Sequence, residues 1–362
     1  MAIREKSFRI GCGRYVQEAG ALAMTADEVL RLGKNPVVVG GKTALSLTRD
    51  AIEKSFEGKI NKYEIIEHTG TCNEVDAKRI ADFAKENGYD VIVGVGGGVI
   101  CDFSKLCGYY DRLPVMNIPT SSATCASYTP LTVRYTQEGR TVGSLHYEYE
   151  VDAVLVDSNI VANQPARLLL AGVFDALAKF LEIKQRFTPD VTDYPIGLDY
   201  AYSLSKSTYK FLVDNTQAAL DDIEAGALTH KVENLIFTSI ATTGVISGIA
   251  RGSNQCALAH KFYELTRTLF PVEARPYLHG EIVGVGLLLQ NFFNGEVEEN
   301  DLLLTLMKKY NMPYRVSDIG ADMSQETFEN YYEKLCASSA MEDANDDDRK
   351  KLRASLEYLW SL

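Results

Sequence analysis

Val93-Gly94-Val95-Gly96-Gly97-Gly98-Val99-Ile100-Cys101-Asp102 joins an apolar run, a glycine cluster and the opening of a helix, and its reading decides the fold. Glycines at a strand-to-helix turn let a diphosphate come close to the backbone. The helix N-terminus behind them offers unpaired N–H groups and a partial positive charge. A plain tight turn uses the same glycines, so the flanking segments must decide. The run 90–95 (DVIVGV) leads into the cluster as a buried strand. Upstream, Pro36-Val37-Val38-Val39-Gly40-Gly41 is another apolar run ending in glycines, and 62–67 (KYEIIE) is a further strand candidate. Between them and the cluster, 73–88 reads as a helix. Asn73 is its cap, Asp76 holds the capping-box position, and Ala77, Ile80, Ala81 and Ala84 share one face. After the cluster comes 113–118 (LPVMNI), then the hydroxyl-rich loop Pro119-Thr120-Ser121-Ser122-Ala123-Thr124. This βαβ alternation predicts a parallel sheet covered by helices on both faces, with ligands bound at the carboxyl ends of its strands.

Further along, 132–149 carries the turn Gln137-Glu138-Gly139 between β-rich runs and predicts a hairpin, and 153–157 (AVLVD) is the last clear strand. From Pro165 onward helical patterns dominate, over 172–186, 195–214 and 231–252. The acidic run 342–348 (EDANDDD) is placed to cap a final helix over 348–360. With 362 residues the chain exceeds the size at which one core stops growing, so two domains are expected. The boundary is set at 158–165, giving a nucleotide-binding α/β domain over 1–162 and a helical metal-binding and substrate domain over 163–362.

Net charge is −12, which repels phosphate backbones and argues against nucleic-acid partners. The N-terminus has no apolar core with a cleavage site, and no run of 18 apolar residues occurs, so neither a secretory signal nor a membrane span is expected. The seven cysteines (Cys12, Cys72, Cys101, Cys107, Cys125, Cys256, Cys336) form no CxxC pair and read as free thiols of a cytoplasmic protein.

Of the five histidines, His68 and His230 lie beside turn signals and read as surface residues, and His146 lies in the hairpin. His260 and His279 sit against apolar helical stretches, and Asp175 is an acid inside the apolar run Val173-Phe174-Asp175-Ala176-Leu177. A lone buried carboxylate is costly and wants a cation or a metal. Two imidazoles and one carboxylate make the three-ligand, open-position set of a catalytic metal. Spacing alone does not bring these three together.

Taken together, the motifs resemble those of the iron-containing alcohol dehydrogenases. Gly94-Val95-Gly96-Gly97-Gly98 with Asp102 and Lys105 is similar to the GxGGGxxxDxxK signature of the glycerol-dehydrogenase branch. The segments 118–139, Asp175-Ala176-Leu177-Ala178, Ala259-His260 and His279-Gly280-Glu281 resemble its later motifs in the same order. The wording of 124–131 is closest to the hydroxycarboxylate dehydrogenases of that branch. The resemblance implies a dehydroquinate synthase-like fold: a Rossmann-like α/β N-terminal domain, an all-α C-terminal domain, and an active site in the cleft between them. It further implies a homo-oligomer, a small-molecule substrate, and one divalent metal, zinc or iron, on Asp175, His260 and His279. NAD or NADP would be held by Gly97, Gly98, Val99, Asp102, Thr120, Ser121, Ser122, Ala123, Thr129, Leu131 and Tyr135.

The departures from the pattern carry the substrate reading. Val99 stands where the branch has lysine, and Tyr263 where a second, proton-handling histidine usually follows His260. Cys125 replaces the substrate-loop aspartate of glycerol dehydrogenases. Loss of that carboxylate favours a 2-oxo acid or 2-hydroxy acid over glycerol, which is the alternative. Lys179, one helical turn after Asp175, is the candidate for the substrate carboxylate. Pairing of Lys179 with Asp175 alone is the rival reading, and Arg134 is set aside because it faces away from Tyr135. Gly41 stands where an acid would hold the adenosine ribose, with Lys42 beside it, which leans toward NADPH or dual use. A cyclase of the dehydroquinate-synthase type and a non-catalytic binding protein are the alternatives from other classes.

Overall fold

The computed structural model describes residues 10–187, 196–250 and 255–362. Among these, residues up to Pro165 together with Ala219–Val245 form one compact unit, and Ala166–Ala218 together with Ile246–Leu362 form the other. The sequence boundary at 158–165 places 219–245 in the helical half of the chain. The structure packs this segment on the N-terminal unit: Gln17 donates to the Glu233 carbonyl at 2.8 Å, and the Tyr15 ring meets Phe237 edge-on at 5.5 Å.

In chain order, the N-terminal unit starts with β1 (Tyr15–Glu18), α1 (Thr25–Leu30), β2 (Pro36–Gly40), α2 (Lys42–Phe56) and β3 (Glu64–Glu67). It continues with α3 (Glu74–Glu86), β4 (Val91–Gly96), α4 (Gly98–Asp111) and β5 (Val115–Pro119). Last come β6 (Leu131–Tyr135), β7 (Thr141–His146), β8 (Ala153–Asp157) and α5 (Ser158–Ala162). Strands β1, β8, β5, β4, β2 and β3 lie side by side in that order, all parallel, and β6 and β7 form a separate antiparallel hairpin. Alternation along the strands sends Val38, Val93, Val95 and Ile118 into a core with α1 and α2. Val37, Val39 and Ile92 enter the opposite core with α3 and α4. Both faces are therefore apolar, as a parallel sheet requires. Asn73 caps α3 as read from sequence, accepting from the Asp76 N–H at 2.9 Å.

From β2 the chain steps to β3 on one side, then returns across β2 to β4 and proceeds to β5 on the other. The strand order therefore reverses between β2 and β4. Ligands of doubly wound sheets bind outside the carboxyl ends of the strands at such a reversal, and here those ends carry Gly41 and Gly97.

The second unit is helical. It contains α6 (Ala166–Arg186), the first part of α7 (Ile196–Glu224), α10 (Leu258–Leu269), α11 (His279–Asn294), α12 (Asn300–Lys309), α13 (Gln325–Cys336) and α14 (Asp346–Ser361). Between α7 and α10 run α8 (His230–Phe237) and α9 (Thr243–Ile249). A π-turn joins these two, where Thr243 Oγ1 bonds the Thr238 carbonyl at 2.8 Å. The sequence reading made this one helix over 231–252. Its last residues, like the Pro195 start proposed for the preceding helix, lie outside the described residues. The stretch His230–Ile249 is long and apolar enough for a membrane span by length and composition, but 61% of that window is buried inside the protein.

Candidate functional site

Helices α6, α10 and α11 meet in the second unit because glycine allows their backbones to touch. A Cβ on Gly280 would stand 2.5 Å from the carbonyl carbon of Ala171 on α6, and one on Gly286 would stand 2.7 Å from the Ala259 oxygen on α10. This junction brings Asp175 of α6, His260 of α10 and His279 of α11 together. One ligand atom from each lies within 4.8 Å of the others. Asp175 Oδ1 is 3.4 Å from Nε2 of His260 and 3.4 Å from Nε2 of His279.

The donor set fits a cation. Asp175 Oδ1 is buried and, among the described residues, accepts no hydrogen bond, although two ring nitrogens face it. Two ligand atoms about 2.05 Å from a tetrahedral zinc ion lie about 3.3–3.4 Å apart, close to the spacing seen here. Burial opposes ionisation of Asp175, but the Lys179 ammonium, His260 and His279 hold its carboxyl well below the usual carboxylate range. Lys179 is buried, with Nζ 4.0 Å from Asp175 Oδ1, so both ends of the turn read from sequence do face one side. Burial likewise opposes the charge on His260, and the Glu182 carboxylate outweighs it and holds the imidazole well above its ordinary value. His279 is pushed down, first by burial.

Glu182 was missed in the sequence reading. It is fully buried and accepts from the N–H groups of Ala257 at 2.7 Å and His260 at 2.8 Å, and from the His260 ring Nδ1–H. Its signal was its place seven residues after Asp175 in the same apolar helix, which puts both on one face. Tyr263 packs edge-on to the His279 ring at 4.2 Å and lies under the Arg267 guanidinium at 5.5 Å. Glu281 holds the N-terminus of α11, accepting from the Leu278 N–H at 2.7 Å and from Arg167 at 2.5 and 2.6 Å.

In the N-terminal unit the glycines of the deciding stretch divide by role. A Cβ on Gly94 would meet Ser104 Cβ at 2.5 Å, on Gly96 Ile100 at 2.8 Å, and on Gly98 Thr124 Oγ1 at 2.8 Å. These three are glycine for packing. Gly97 has φ −77° and ψ −172°, which any residue adopts, and its nearest neighbour would be Ser121 Oγ at 3.4 Å. Nothing among the described residues requires glycine there, and its position caps α4 without a side-chain hydrogen bond. A ligand approaching the backbone is the physical reason for a glycine at such a place.

The expected cofactor residues separate accordingly. Gly41, Lys42, Gly97, Gly98, Val99, Thr120 and Ser121 gather at the strand-order reversal, where the Gly41 N–H bonds the Val95 carbonyl and the Thr120 N–H bonds Gly96. Ala123 follows in the same loop, half-buried. Ser122 instead bonds Gln164 through both its N–H (3.0 Å) and its hydroxyl (2.8 Å). Asp102 accepts from the Val133 N–H at 3.0 Å and pairs with Lys105 at 2.8 Å, tying the hairpin to α4. Lys105 also donates to the carbonyls of Ala126 (2.6 Å), Thr129 (2.9 Å) and Leu131. Tyr135 packs its ring against the core around Val37 and Val39. Cys125 is buried at a turn where its carbonyl accepts from Tyr128 and Thr129 N–H groups. Arg134 pairs with Glu74.

His68 corrects a surface assignment. It is buried, stacked on Phe103 with ring centroids 3.7 Å apart, and Nε2 meets the Thr71 carbonyl at 3.0 Å. Turn residues around it suggested solvent, but the packing is tertiary. His230 and His146 are exposed. The described cysteines are all free thiols, and burial pushes Cys101 up to about 12.

A family profile for the iron-containing alcohol dehydrogenases matches residues 12–158. The glycerol dehydrogenase of Thermotoga maritima is 30% identical over 334 residues, covering 90% of this chain and 88% of that one. Hydroxycarboxylate dehydrogenase A of Escherichia coli is 29% identical over 295 residues, covering 80% and 78%. The crystal structure of a probable glycerol dehydrogenase from Sinorhizobium meliloti superposes with a TM-score of 0.82 at 25% identity, over 99% of each chain. The chain belongs to the iron-containing alcohol dehydrogenase family. It is an alcohol-type oxidoreductase using a nicotinamide cofactor and a divalent metal. Within the family it falls in the glycerol-dehydrogenase branch, with the parallel-sheet α/β domain and helical domain expected from sequence.

Proposed function

We propose that the enzyme reversibly oxidises a small polyol, glycerol or a related vicinal diol, with Asp175, His260 and His279 holding one divalent cation, zinc or iron, of which the nitrogen and oxygen ligand set suits zinc. The observation that carries this reading is the buried Asp175 Oδ1, which has no hydrogen bond among the described residues while two ring nitrogens face it at 3.4 Å. The polyol class is supported by the names of the relatives from Thermotoga and Sinorhizobium, which weigh against the 2-oxo acid expectation. Family membership favours hydride transfer over the cyclase alternative. When bound, the cation supplies Lewis acidity at the substrate oxygen and the nicotinamide takes or returns the hydride. In the helical unit Glu182 and Tyr263 orient the two imidazoles; in the N-terminal unit Gly97 leaves the α4 N-terminus open to the diphosphate. Tyr263 acts as a buttress, so Tyr263→Phe keeps activity that Tyr263→Ala loses.

A second reading, oxidation of a 2-hydroxy acid, is favoured by one observation. Lys179 places a buried ammonium 4.0 Å from Asp175 Oδ1, suited to a substrate carboxylate, and Cys125 offers no acid to repel one. Lys179→Ala then raises KM for a keto acid far more than for a neutral ketone. Lys42 is exposed at the start of α2 and favours use of NADP alongside NAD. Glu67 opposes it from the end of β3, in register with Gly40. The fold reading also carries self-association into a homo-oligomer, checked by light scattering.

The test is a metal assay joined to a panel of polyols and hydroxy acids, each with NAD and NADP, read at the nicotinamide absorbance band. Metal-dependent turnover of glycerol or a diol is expected. Turnover unaffected by exhaustive chelation, or confined to hydroxy acids, overturns the metal or the polyol reading respectively.

A further inference from the structure

We propose that Glu182 is the positioning residue that decides which nitrogen of His260 faces the cation, so that it governs metal affinity. The inference rests on the metal reading above and adds a residue outside the three ligands. Glu182 lies on α6, seven residues beyond Asp175, with no solvent exposure. One oxygen, Oε1, accepts from the N–H of Ala257 at 2.7 Å and of His260 at 2.8 Å. These belong to the start of α10, which has no side-chain cap of its own, so Glu182 caps it from another helix. The other oxygen, Oε2, takes the His260 Nδ1–H.

An ionised carboxylate only accepts hydrogen bonds. Nδ1 must therefore carry the proton, which leaves the Nε2 lone pair on the side of Asp175 and His279. The two oxygens divide the work: Oε1 holds the helix start and Oε2 sets the ring. Glutamine separates these roles. In Glu182→Gln the amide oxygen keeps both backbone bonds, and the amide NH2 takes the place of Oε2, where it only donates. The opposite orientation would set that NH2 against two N–H donors. Nδ1 is then forced to accept, and the ring proton moves to Nε2, where the cation needs a lone pair.

The experiment uses the full chain, stripped with chelator and titrated with zinc against a chromophoric competitor. For Glu182→Gln the expected result is a loss of zinc affinity of about 10–100-fold, the size seen when outer partners of metal-bound histidines are removed. The thermal midpoint of the stripped protein is expected to fall as well, because charged His260 loses its buried carboxylate, so zinc affinity is compared at a temperature where the stripped variant stays folded. Wild-type zinc affinity in the variant overturns the proposal. If the variant does not fold, cadmium-113 loading of 15N-histidine-labelled wild type decides. One-bond coupling from the metal to Nε2 of His260 supports the assignment, and coupling to Nδ1 overturns it. Wild type that binds no zinc would instead strike the metal reading itself.

Discussion

Replacing Gly280 by alanine tests whether the helix crossing makes the metal centre. The added Cβ would stand 2.5 Å from the carbonyl carbon and 2.8 Å from the Cα of Ala171. Carbon atoms in contact prefer about 3.5–4.0 Å, so α11 must withdraw from α6 by about 1 Å. The obstacle is main chain on both sides, and no side chain can swing away. Overpacking of this kind costs about 3 kcal/mol, the upper part of its usual range, or a fall in Tm of about 6–12 °C. The chemical effect is larger than the stability effect. His279 begins α11 next to Gly280, and Asp175 lies one turn beyond Ala171 on α6, so the same displacement separates two ligands. Metal sites tolerate about 0.2 Å in ligand distance. Gly280→Ala is therefore expected to fold with a lowered Tm and to lose zinc affinity by a larger factor than any loss of folding at room temperature. Unfolding by circular dichroism and zinc titration of the stripped protein measure the two effects. A variant with both Tm and zinc affinity of the wild type would refute the idea that this contact sets the site.

Gly97→Ala is expected to leave stability within about 1 kcal/mol, because its backbone is ordinary and its new Cβ meets Ser121 Oγ at 3.4 Å, yet to weaken nicotinamide cofactor binding, read by fluorescence titration. Equal cofactor affinity would remove Gly97 from the phosphate site. Lys105→Met removes the ammonium paired with the buried Asp102 and frees three loop carbonyls, and is expected to cost about 3–5 kcal/mol in urea unfolding. Zinc binding is expected to release about one proton near neutral pH, from His260, whose folded metal-free value is raised, and none from His279, whose value is lowered. Affinity therefore rises with pH up to the His260 value. The stability that charged His260 lends the metal-free protein is full below its unfolded value of about 6.5 and is lost as pH rises through the folded one. Calorimetry in buffers of different ionisation heat counts the protons, and a count of zero or two would contradict this assignment.

The parts legible in the sequence are those where local pattern and fold agree. The strand runs Pro36–Gly40 and Ala153–Asp157 and the Asn73 cap were readable because an unbroken apolar run and a side-chain cap are local signals. Strand β1 was not: Tyr15–Glu18 is four half-buried or exposed residues at a sheet edge, and only its pairing with β8 makes it a strand. His68 and the 219–245 segment were misplaced for the same reason, since stacking on Phe103 and packing on Tyr15 join residues far apart in sequence. At the site, the convergence of Asp175, His260 and His279 was implied by motif order, not by spacing. Glu182 escaped because a glutamate in a helix usually signals solvent, and only the partners donated by α10 show otherwise. The hydrogen bonds of Asp102 to Val133 and of Ser122 to Gln164, which fix the loops around them, join residues far apart in sequence and gave no local signal.

Ala171, Asp175, Lys179 and Glu182 stand on α6 at intervals of four, four and three, so they form one narrow stripe about 16 Å long. The stripe works like a key cut from a single blank. The close approach to α11, the ligand, the ammonium and the group that turns His260 are all indexed by the same rod. A residue inserted ahead of Ala171 would rotate all four by about 100° together, whereas one inserted between Asp175 and Glu182 would leave the ligand in place and turn its partner's support away. Substitutions along the stripe can be graded, whereas a change in its length turns every position beyond it at once.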